Sequence, residues 1–152
     1  MSDTPVSTAI YQLARAQKAF AASMLRELGL YPNQELLLMQ LGGVESRSQS
    51  DLVRTLMLDH STVAKSLRRM QAAGLVTRQP SPSDRRAVEV SLTSRGRDLL
   101  EHIDAVWTQL EATATRNLST KDVQTMVARM GAIQKGIEEE MAARGVTPTI
   151  AG

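Results

Sequence analysis

The fold is decided by residues 51–96, which read DLVRTLMLDHSTVAKSLRRMQAAGLVTRQPSPSDRRAVEVSLTSRG. Apolar residues first recur every three or four positions, as in amphipathic helices, and from Leu75 onward they alternate with polar residues, as in half-buried strands. This change of period predicts a short helix from near Ser48, a longer helix, and then a two-stranded hairpin. Asp59 is a favourable N-cap for the longer helix, and Gly74 is a favourable stop.

The longer helix is predicted to have one apolar and one basic face. At 100° per residue the apolar side chains fall together on one side, namely Val63, Ala64, Leu67 and Met70. The opposite side carries hydroxyl and cationic side chains without an acidic one: Ser61, Thr62, Lys65, Ser66, Arg68 and Arg69. Such side chains can reach base edges or phosphates when a helix lies in the DNA major groove. The alternative is the ordinary solvated face of a packed helix.

The hairpin that follows places two arginines where its strands turn. The strands are predicted at 75–78 and 88–92, with a turn-rich loop at 79–84. Asp84, Arg85 and Arg86 come at the tip, where an arginine can enter a narrow minor groove because negative potential is concentrated there. A short helix, a tight turn, a basic helix and this hairpin together predict a winged helix-turn-helix.

Three stretches carry a resemblance to the MarR family of transcriptional regulators. DLVRTLMLDHSTV at 51–63 resembles the family's helix-turn-helix, and MQAAGLVTR at 70–78 is similar to the end of its recognition helix and its first wing strand. SDRRAVEVSLTSRG at 83–96 is similar to its wing signature, an Asp-x-Arg followed by a Leu-Thr-x-x-Gly helix start. Val53 and Met57 depart from the pattern, because the family usually has a small residue there, often glycine.

The resemblance implies a mainly α (α+β) fold and a homodimeric repressor that binds a pseudo-palindromic operator in double-stranded DNA. It implies that the recognition helices enter successive major grooves and that the wings enter flanking minor grooves. The side chains facing bases or nearby phosphates would be Ser61, Thr62, Lys65, Ser66 and Arg69. Arg86 would be the wing-tip arginine, oriented by Asp84, and Arg85 would contact a backbone phosphate.

Four further helices are expected around this segment. A first helix over 6–28 ends at Gly29, and Pro32 is expected to open the next helix in its first turn, which Gly42 and Gly43 end. Thr93 and Ser119 are predicted to cap two long C-terminal helices.

Both terminal helices carry apolar stripes. The first stripe is Val6, Ile10, Leu13, Ala16, Phe20, Met24 and Leu28, and the last is Val123, Met126, Met130, Ile133, Ile137 and Met141. A long helix cannot bury such a stripe alone, so we expect the terminal helices to pair with each other and with those of a second chain. The predicted organisation is a dimerisation helix at 1–30, a winged domain at 31–97, dimerisation helices at 98–144 and a flexible tail at 145–152.

Composition narrows the class of protein. The sequence has no cysteine, which excludes disulfides, cysteine nucleophiles and cysteine-based redox sensing. Residues 51–97 hold nine basic and four acidic side chains, whereas 98–152 hold five and eight, which suggests a local surface for a polyanion. No long apolar run or signal-peptide pattern is present, so we expect a cytoplasmic protein that does not bind membranes.

The resemblance implies a small aromatic or anionic effector held between the dimerisation helices and the winged domain. Tyr11 could stack on it and Arg15 could bind its carboxylate, although a solvated or inter-subunit role is the alternative for both. A packing role is expected for Trp107. His102 with Glu101 and Asp104 is a weak metal candidate, so no metal site and no cofactor are predicted.

The sequence argues against two other classes of protein. An enzyme is disfavoured because the sequence has no nucleophile elbow, phosphate-binding glycine loop or paired carboxylates beside a base, so no catalytic residue is predicted. A winged-helix module for protein contacts without DNA binding is the alternative function, and the unopposed basic face argues against it.

Overall fold

The computed structural model describes residues 4–147. Within them the chain forms α1 (Pro5–Glu27), α2 (Gln34–Leu41), β1 (Arg47–Ser48), α3 (Gln49–Leu56), α4 (His60–Ala72), β2 (Val76–Pro80), β3 (Val88–Leu92), α5 (Ser94–Thr115) and α6 (Thr120–Ala143). The expected mainly α fold with a winged helix-turn-helix is confirmed. Of the tail predicted at 145–152, residues 148–152 lie outside the described residues.

Four helices begin at the caps that the sequence predicts. Ser48, Asp59, Thr93 and Ser119 each accept a hydrogen bond from the backbone N–H three residues later. A side chain in this position satisfies one of the N–H groups that the first turn of a helix leaves free. At α6 the Asp122 carboxylate also accepts from the Ser119 backbone N–H, which completes a capping box.

The connection between α1 and α2 differs from the prediction. Gly29 adopts a φ of 75° and ends α1, as expected, while the Leu30 N–H donates to the Leu25 carbonyl. Pro32 does not open α2, because Asn33 takes a left-handed conformation (φ 70°) and the helix begins at Gln34. The prediction of Pro32 as a first-turn residue was therefore wrong.

The sheet has three antiparallel strands in the order β1-β3-β2. β1 was not predicted, because two residues are too few for a periodic pattern. β2 continues beyond the predicted end at Arg78, so that Gln79 pairs with Glu89 and Pro80 with Val88. Pro80 is tolerated because it lies at the end of an edge strand. The wing loop accordingly starts two residues later than the sequence suggested.

The core joins the helix-turn-helix to the rest of the chain. Its fully buried side chains include Leu37, Leu38, Leu52, Val63, Leu67, Met70, Val90 and Ile103, which come from α2, α3, α4, β3 and α5, with Val76 from β2 and Leu30 from the α1–α2 connection. The N-terminal end of α5 packs closely on the end of α4, where the Thr93 hydroxyl donates to the Gly74 carbonyl at 2.6 Å. This contact fixes the hairpin that lies between the two helices.

Candidate nucleic-acid interface

The burial of α4 follows the two faces read from the sequence. Val63, Leu67 and Met70 have no exposed surface. On the other side Ser61, Lys65, Arg68 and Arg69 are exposed, while Thr62 and Ser66 are partly exposed. The apolar face holds the helix on the core, and the hydroxyl and cationic side chains are left to contact a partner.

The basic side chains on this surface are not neutralised within the chain. Lys65, Arg68, Arg69, Arg85 and Arg86 form no ion pair with another residue of the described range 4–147. Arg54, by contrast, pairs with Asp51 on α3. The unpaired cations on α4 and the wing give the positive surface that a polyanion would bind.

The N-terminal end of α4 carries a carboxylate that the sequence analysis treated only as a cap. The hydroxyl of Ser61 donates to Asp59 Oδ1 at 2.6 Å, and the hydroxyl of Thr62 donates to Asp59 Oδ2. These two bonds, with the Thr62 N–H at 2.8 Å, hold the pKa of Asp59 well below its ordinary value. Asp59 is therefore ionised at neutral pH, and the hydroxyl protons of Ser61 and Thr62 are engaged by its carboxylate.

Arg69 has a partner outside its own helix. Its guanidinium carbon lies 5.7 Å from the centre of the Tyr31 ring, within cation–π range. Tyr31 belongs to the connection between α1 and α2, 38 positions earlier in the chain. Sequence analysis missed this contact, since no local pattern links the two residues.

The turn of the helix-turn-helix bends at Met57. This residue ends α3 in a left-handed conformation with φ 53°. Left-handed backbone favours glycine, so the structure gives a physical reason for the small residue that the MarR resemblance led us to expect there. Met57, which departs from the family pattern, is therefore a strained residue, and the turn forms in spite of this strain.

The wing tip is ordered through the backbone. Asp84 Oδ1 accepts from the Arg86 N–H at 2.9 Å, and the Asp84 carbonyl accepts from the Ala87 N–H at 2.9 Å. Asp84, Arg85 and Arg86 are all exposed. Asp84 thus holds the main chain of Arg86 and not its side chain. Within residues 4–147 no hydrogen bond joins the Arg86 guanidinium to Asp84.

The two effector candidates lie together on α1. Arg15 lies over the Tyr11 ring at 5.8 Å, and Tyr11 is 64% exposed. A separate, partly open cavity of about 290 Å³ is lined by α1, the α1–α2 connection, Glu35 and Trp107, and neither Tyr11 nor Arg15 is among its lining residues. Trp107 packs against the core, as expected, and also lines this cavity.

Residues 4–147 contain no group of three or more histidine or acidic side chains placed to hold a metal ion, so His102, Glu101 and Asp104 do not form such a group. No helix in the described part of the chain has the length and apolar character needed to cross a membrane.

The comparison with protein families decides the classification. Residues 28–87 match the model described as MarR family. Over these residues the chain is similar to the MarR family. The match spans the α1–α2 connection, the helix-turn-helix and the wing tip, so the resemblance drawn from the sequence motifs is confirmed.

Solved structures of MarR-type proteins share the fold over most of the chain. A cysteine-to-serine mutant of E. coli MarR complexed with operator DNA is 23% identical, with a TM-score of 0.75 over 85% of this chain and 93% of that one. The transcriptional regulator SlyA is 20% identical, with a TM-score of 0.76 over 90% and 96%. Bordetella bronchiseptica BpsR is 22% identical, with a TM-score of 0.76 over 88% and 96%. These similarities extend the MarR-type fold to the terminal helices.

Proposed function

We propose that the protein is a sequence-specific DNA-binding transcriptional repressor that acts as a homodimer on a pseudo-palindromic operator. The observation that carries this proposal is the unneutralised basic face of α4 beside an exposed wing tip with two arginines. The similarity to the MarR family and a similarly folded MarR bound to operator DNA support it.

In this proposal α4 enters the major groove and the wing enters the adjacent minor groove. Lys65 and Arg69 supply the long cationic side chains that reach bases or phosphates, and Ser66 lies beside them. Ser61 and Thr62 lie at the end of α4 nearest the groove floor, where their oxygens can accept from base amino groups. Arg86 reads the narrow minor groove by its charge, and Arg85 contacts phosphate.

The dimer would form through the terminal helices. α1 and α6 line an apolar groove of about 450 Å³ whose walls include Ile10, Leu13, Met130 and Ile137. These four side chains are between 44% and 53% exposed in the single chain. Covering this surface with a second copy removes apolar area from water and places two winged domains side by side.

Release by a small effector completes the proposed regulation. The DNA binding of BpsR is regulated by 6-hydroxynicotinic acid. BpsR is therefore a precedent for such control in a protein of the same fold. An effector must bind the conformation that does not bind DNA more tightly, because a ligand shifts an equilibrium only by its differential affinity.

Substitution of the wing arginine tests the DNA-binding proposal. Binding sites are first selected from random duplexes with the full chain, and affinities are then measured by fluorescence anisotropy at fixed salt. Arg86→Ala is expected to weaken binding at least about tenfold, because a minor-groove contact is lost in each half-site. Arg129→Ala, which removes an exposed arginine from α6, is the matched control and should leave the affinity unchanged.

Two results would contradict the proposal. Failure of the wild-type chain to select any duplex would favour the alternative of a winged helix used for protein contacts. Equal affinity of wild type and Arg86→Ala would remove the wing from the DNA-binding surface.

A further inference from the structure

The charge of Asp59 is out of place on a surface for a polyanion. Asp59 is exposed and forms no ion pair within residues 4–147, whereas Lys65, Arg68 and Arg69 further along α4 are all cationic. A free carboxylate beside these cations lowers the affinity for DNA, because it repels phosphates. Asparagine or serine would cap the helix as well as aspartate does. The need for a cap therefore does not by itself account for the charge.

The carboxylate of Asp59 fixes the direction of two hydrogen bonds. The Ser61 hydroxyl donates to its Oδ1 at 2.6 Å, and the Thr62 hydroxyl donates to its Oδ2. These bonds lower the pKa of Asp59, so the carboxylate is only an acceptor at neutral pH. Each hydroxyl has a single proton, which is already donated. The oxygens of Ser61 and Thr62 are thus left able to accept a further hydrogen bond but not to donate one.

This fixed direction decides which groups of DNA the two hydroxyls can bind. A phosphate offers acceptors alone, so a hydroxyl whose proton is engaged gains no hydrogen bond from it. In the major groove cytosine and adenine present an amino group, whereas thymine and guanine present a carbonyl oxygen at the corresponding place. Ser61 is exposed and Thr62 is partly exposed. The two hydroxyl oxygens therefore match a base that carries an amino group and oppose one that carries a carbonyl.

We propose that Asp59 is a positioning residue for base recognition, which acts through Ser61 and Thr62 and makes the N-terminal end of α4 select cytosine or adenine. This role rests on the proposed function and deepens it, because it names the base chemistry that one position of each half-site must have. The carboxylate lowers the affinity for DNA in general and raises the discrimination between bases. Specificity is a difference of affinities, and repulsion of the wrong partner contributes to it.

Transitions in the selected duplex test this role. A transition exchanges the amino group and the carbonyl of a base in the major groove and keeps the purine or pyrimidine in place. Each base pair of the half-sites is changed in turn, and the affinity is measured by fluorescence anisotropy at fixed salt. In the wild type at least one cytosine or adenine per half-site should be sensitive, with a loss of about fivefold or more on its change to thymine or guanine.

Asp59→Asn removes the fixed direction and keeps the cap. The amide nitrogen of asparagine donates to one hydroxyl, which can then donate its own proton to a carbonyl. The loss at the sensitive base should fall below about twofold, while the affinity for a scrambled duplex should rise about two- to tenfold, because a repelling charge is gone. Asp122→Asn is the matched control, since Asp122 also accepts from a serine hydroxyl, that of Ser119 at 2.6 Å, and both affinities should stay unchanged.

Removal of the two hydroxyls gives an independent test. Ser61→Ala/Thr62→Val leaves the cap in place and should also abolish the discrimination at the sensitive base. Adding Asp59→Asn to this variant should not change the discrimination further, because the carboxylate acts through the two hydroxyls. Urea denaturation of each variant checks that the fold is kept. A purely structural role of Asp59 would lower the affinity for the selected and the scrambled duplex together.

Three results would overturn the role of Asp59. Equal losses in wild type and Asp59→Asn would show that the carboxylate only caps the helix. Wild-type discrimination in Ser61→Ala/Thr62→Val would show that the hydroxyls do not contact the base. A thymine or guanine at the position that Asp59→Asn relaxes would show that the hydroxyls donate. A wild type that binds no duplex would instead overturn the proposed function, and this role with it.

Discussion

Met57 holds a backbone conformation that is costly for a residue with a side chain. Its φ of 53° puts the Cβ close to the following carbonyl, at a cost of about 1–2 kcal/mol. The residue is tolerated because Leu52 before it and Leu58 after it are both buried, so the core fixes the path of the turn. The strain lies at the point that sets the angle between α3 and α4.

Replacing Met57 tests this account of the turn. Met57→Gly is expected to raise the free energy of unfolding by about 0.5–1 kcal/mol, because relief of the left-handed strain exceeds the entropy that glycine gains in the unfolded chain. Urea denaturation followed by circular dichroism measures the difference. Val53→Gly, inside α3, is the control and should be destabilising. A destabilised Met57→Gly would show that Met57 contributes more by packing than it costs by strain.

Residue-scale features were predictable where they depend on near neighbours. The N-caps at Ser48, Thr93 and Ser119 follow from residue types three positions apart, and all three form. The contact of Tyr31 with Arg69 and the placement of Glu35 and Trp107 beside one cavity depend on the tertiary fold. Single-sequence patterns do not contain that information. Tyr11 and Arg15 contact each other on α1, and their role in effector binding stays a prediction.

At the scale of the elements, the first turn of α5 lies close to the backbone of Leu75, the residue before β2. A Cβ built on Gly96 would lie 2.1 Å from the Leu75 carbonyl oxygen, which is backbone and cannot rotate away. The same glycine donates its N–H to Thr93 Oγ1 at 3.1 Å, within the cap of α5. The Leu-Thr-x-x-Gly pattern of the sequence therefore has a packing cause at this position.

Two glycine substitutions separate close packing from helix propensity. Gly96→Ala is expected to lower the free energy of unfolding by about 2–3 kcal/mol, because the core must shift to accept the methyl group. Gly136→Ala, in the open middle of α6, meets nothing within 4 Å and should raise it by about 0.5–1 kcal/mol. Thermal and urea unfolding of both variants measure the difference. Equal effects of the two substitutions would contradict the close approach at Gly96.

Element types were predicted better than element ends. The periodic helices and the hairpin are present, because their hydrophobic patterns match the faces that pack. β1 was missed, Pro32 was placed inside α2, and β2 was ended too early, since hydrogen bonds made across the chain decide these boundaries. The wing loop that remains, from Ser81 to Ala87, is closed by a Ser81 N–H to Ala87 carbonyl bond of 2.8 Å.

At the scale of the whole molecule, the C-terminal helix α6 has no partner within residues 4–147 of the single chain that buries its apolar side chains. α6 lies wholly within the described residues, and none of its 24 residues is buried. Its apolar stripe nevertheless runs its full length, with Met130 and Ile137 exposed, and Val127 beside the stripe is exposed as well. Such a helix is expected to be covered by another chain.

A charge placed in the stripe tests the proposed dimer. Ile137→Glu is expected to convert the dimer to monomer, because an unpaired carboxylate would be buried at the interface. Sedimentation equilibrium gives the mass, and anisotropy gives the accompanying loss of affinity for the selected duplex. Thr125→Glu adds the same charge at an exposed position on the other side of α6 and should leave both unchanged. A dimeric Ile137→Glu with normal affinity would place the interface elsewhere.

Hydroxyl-radical footprinting on the selected duplex tests most directly the claim that α4 and the wing of two chains bind one DNA duplex together. We predict two protected backbone segments about one helical turn apart, each flanked by minor-groove protection that disappears in Arg86→Ala. A single protected segment, or protection that Arg86→Ala leaves intact, would contradict the account.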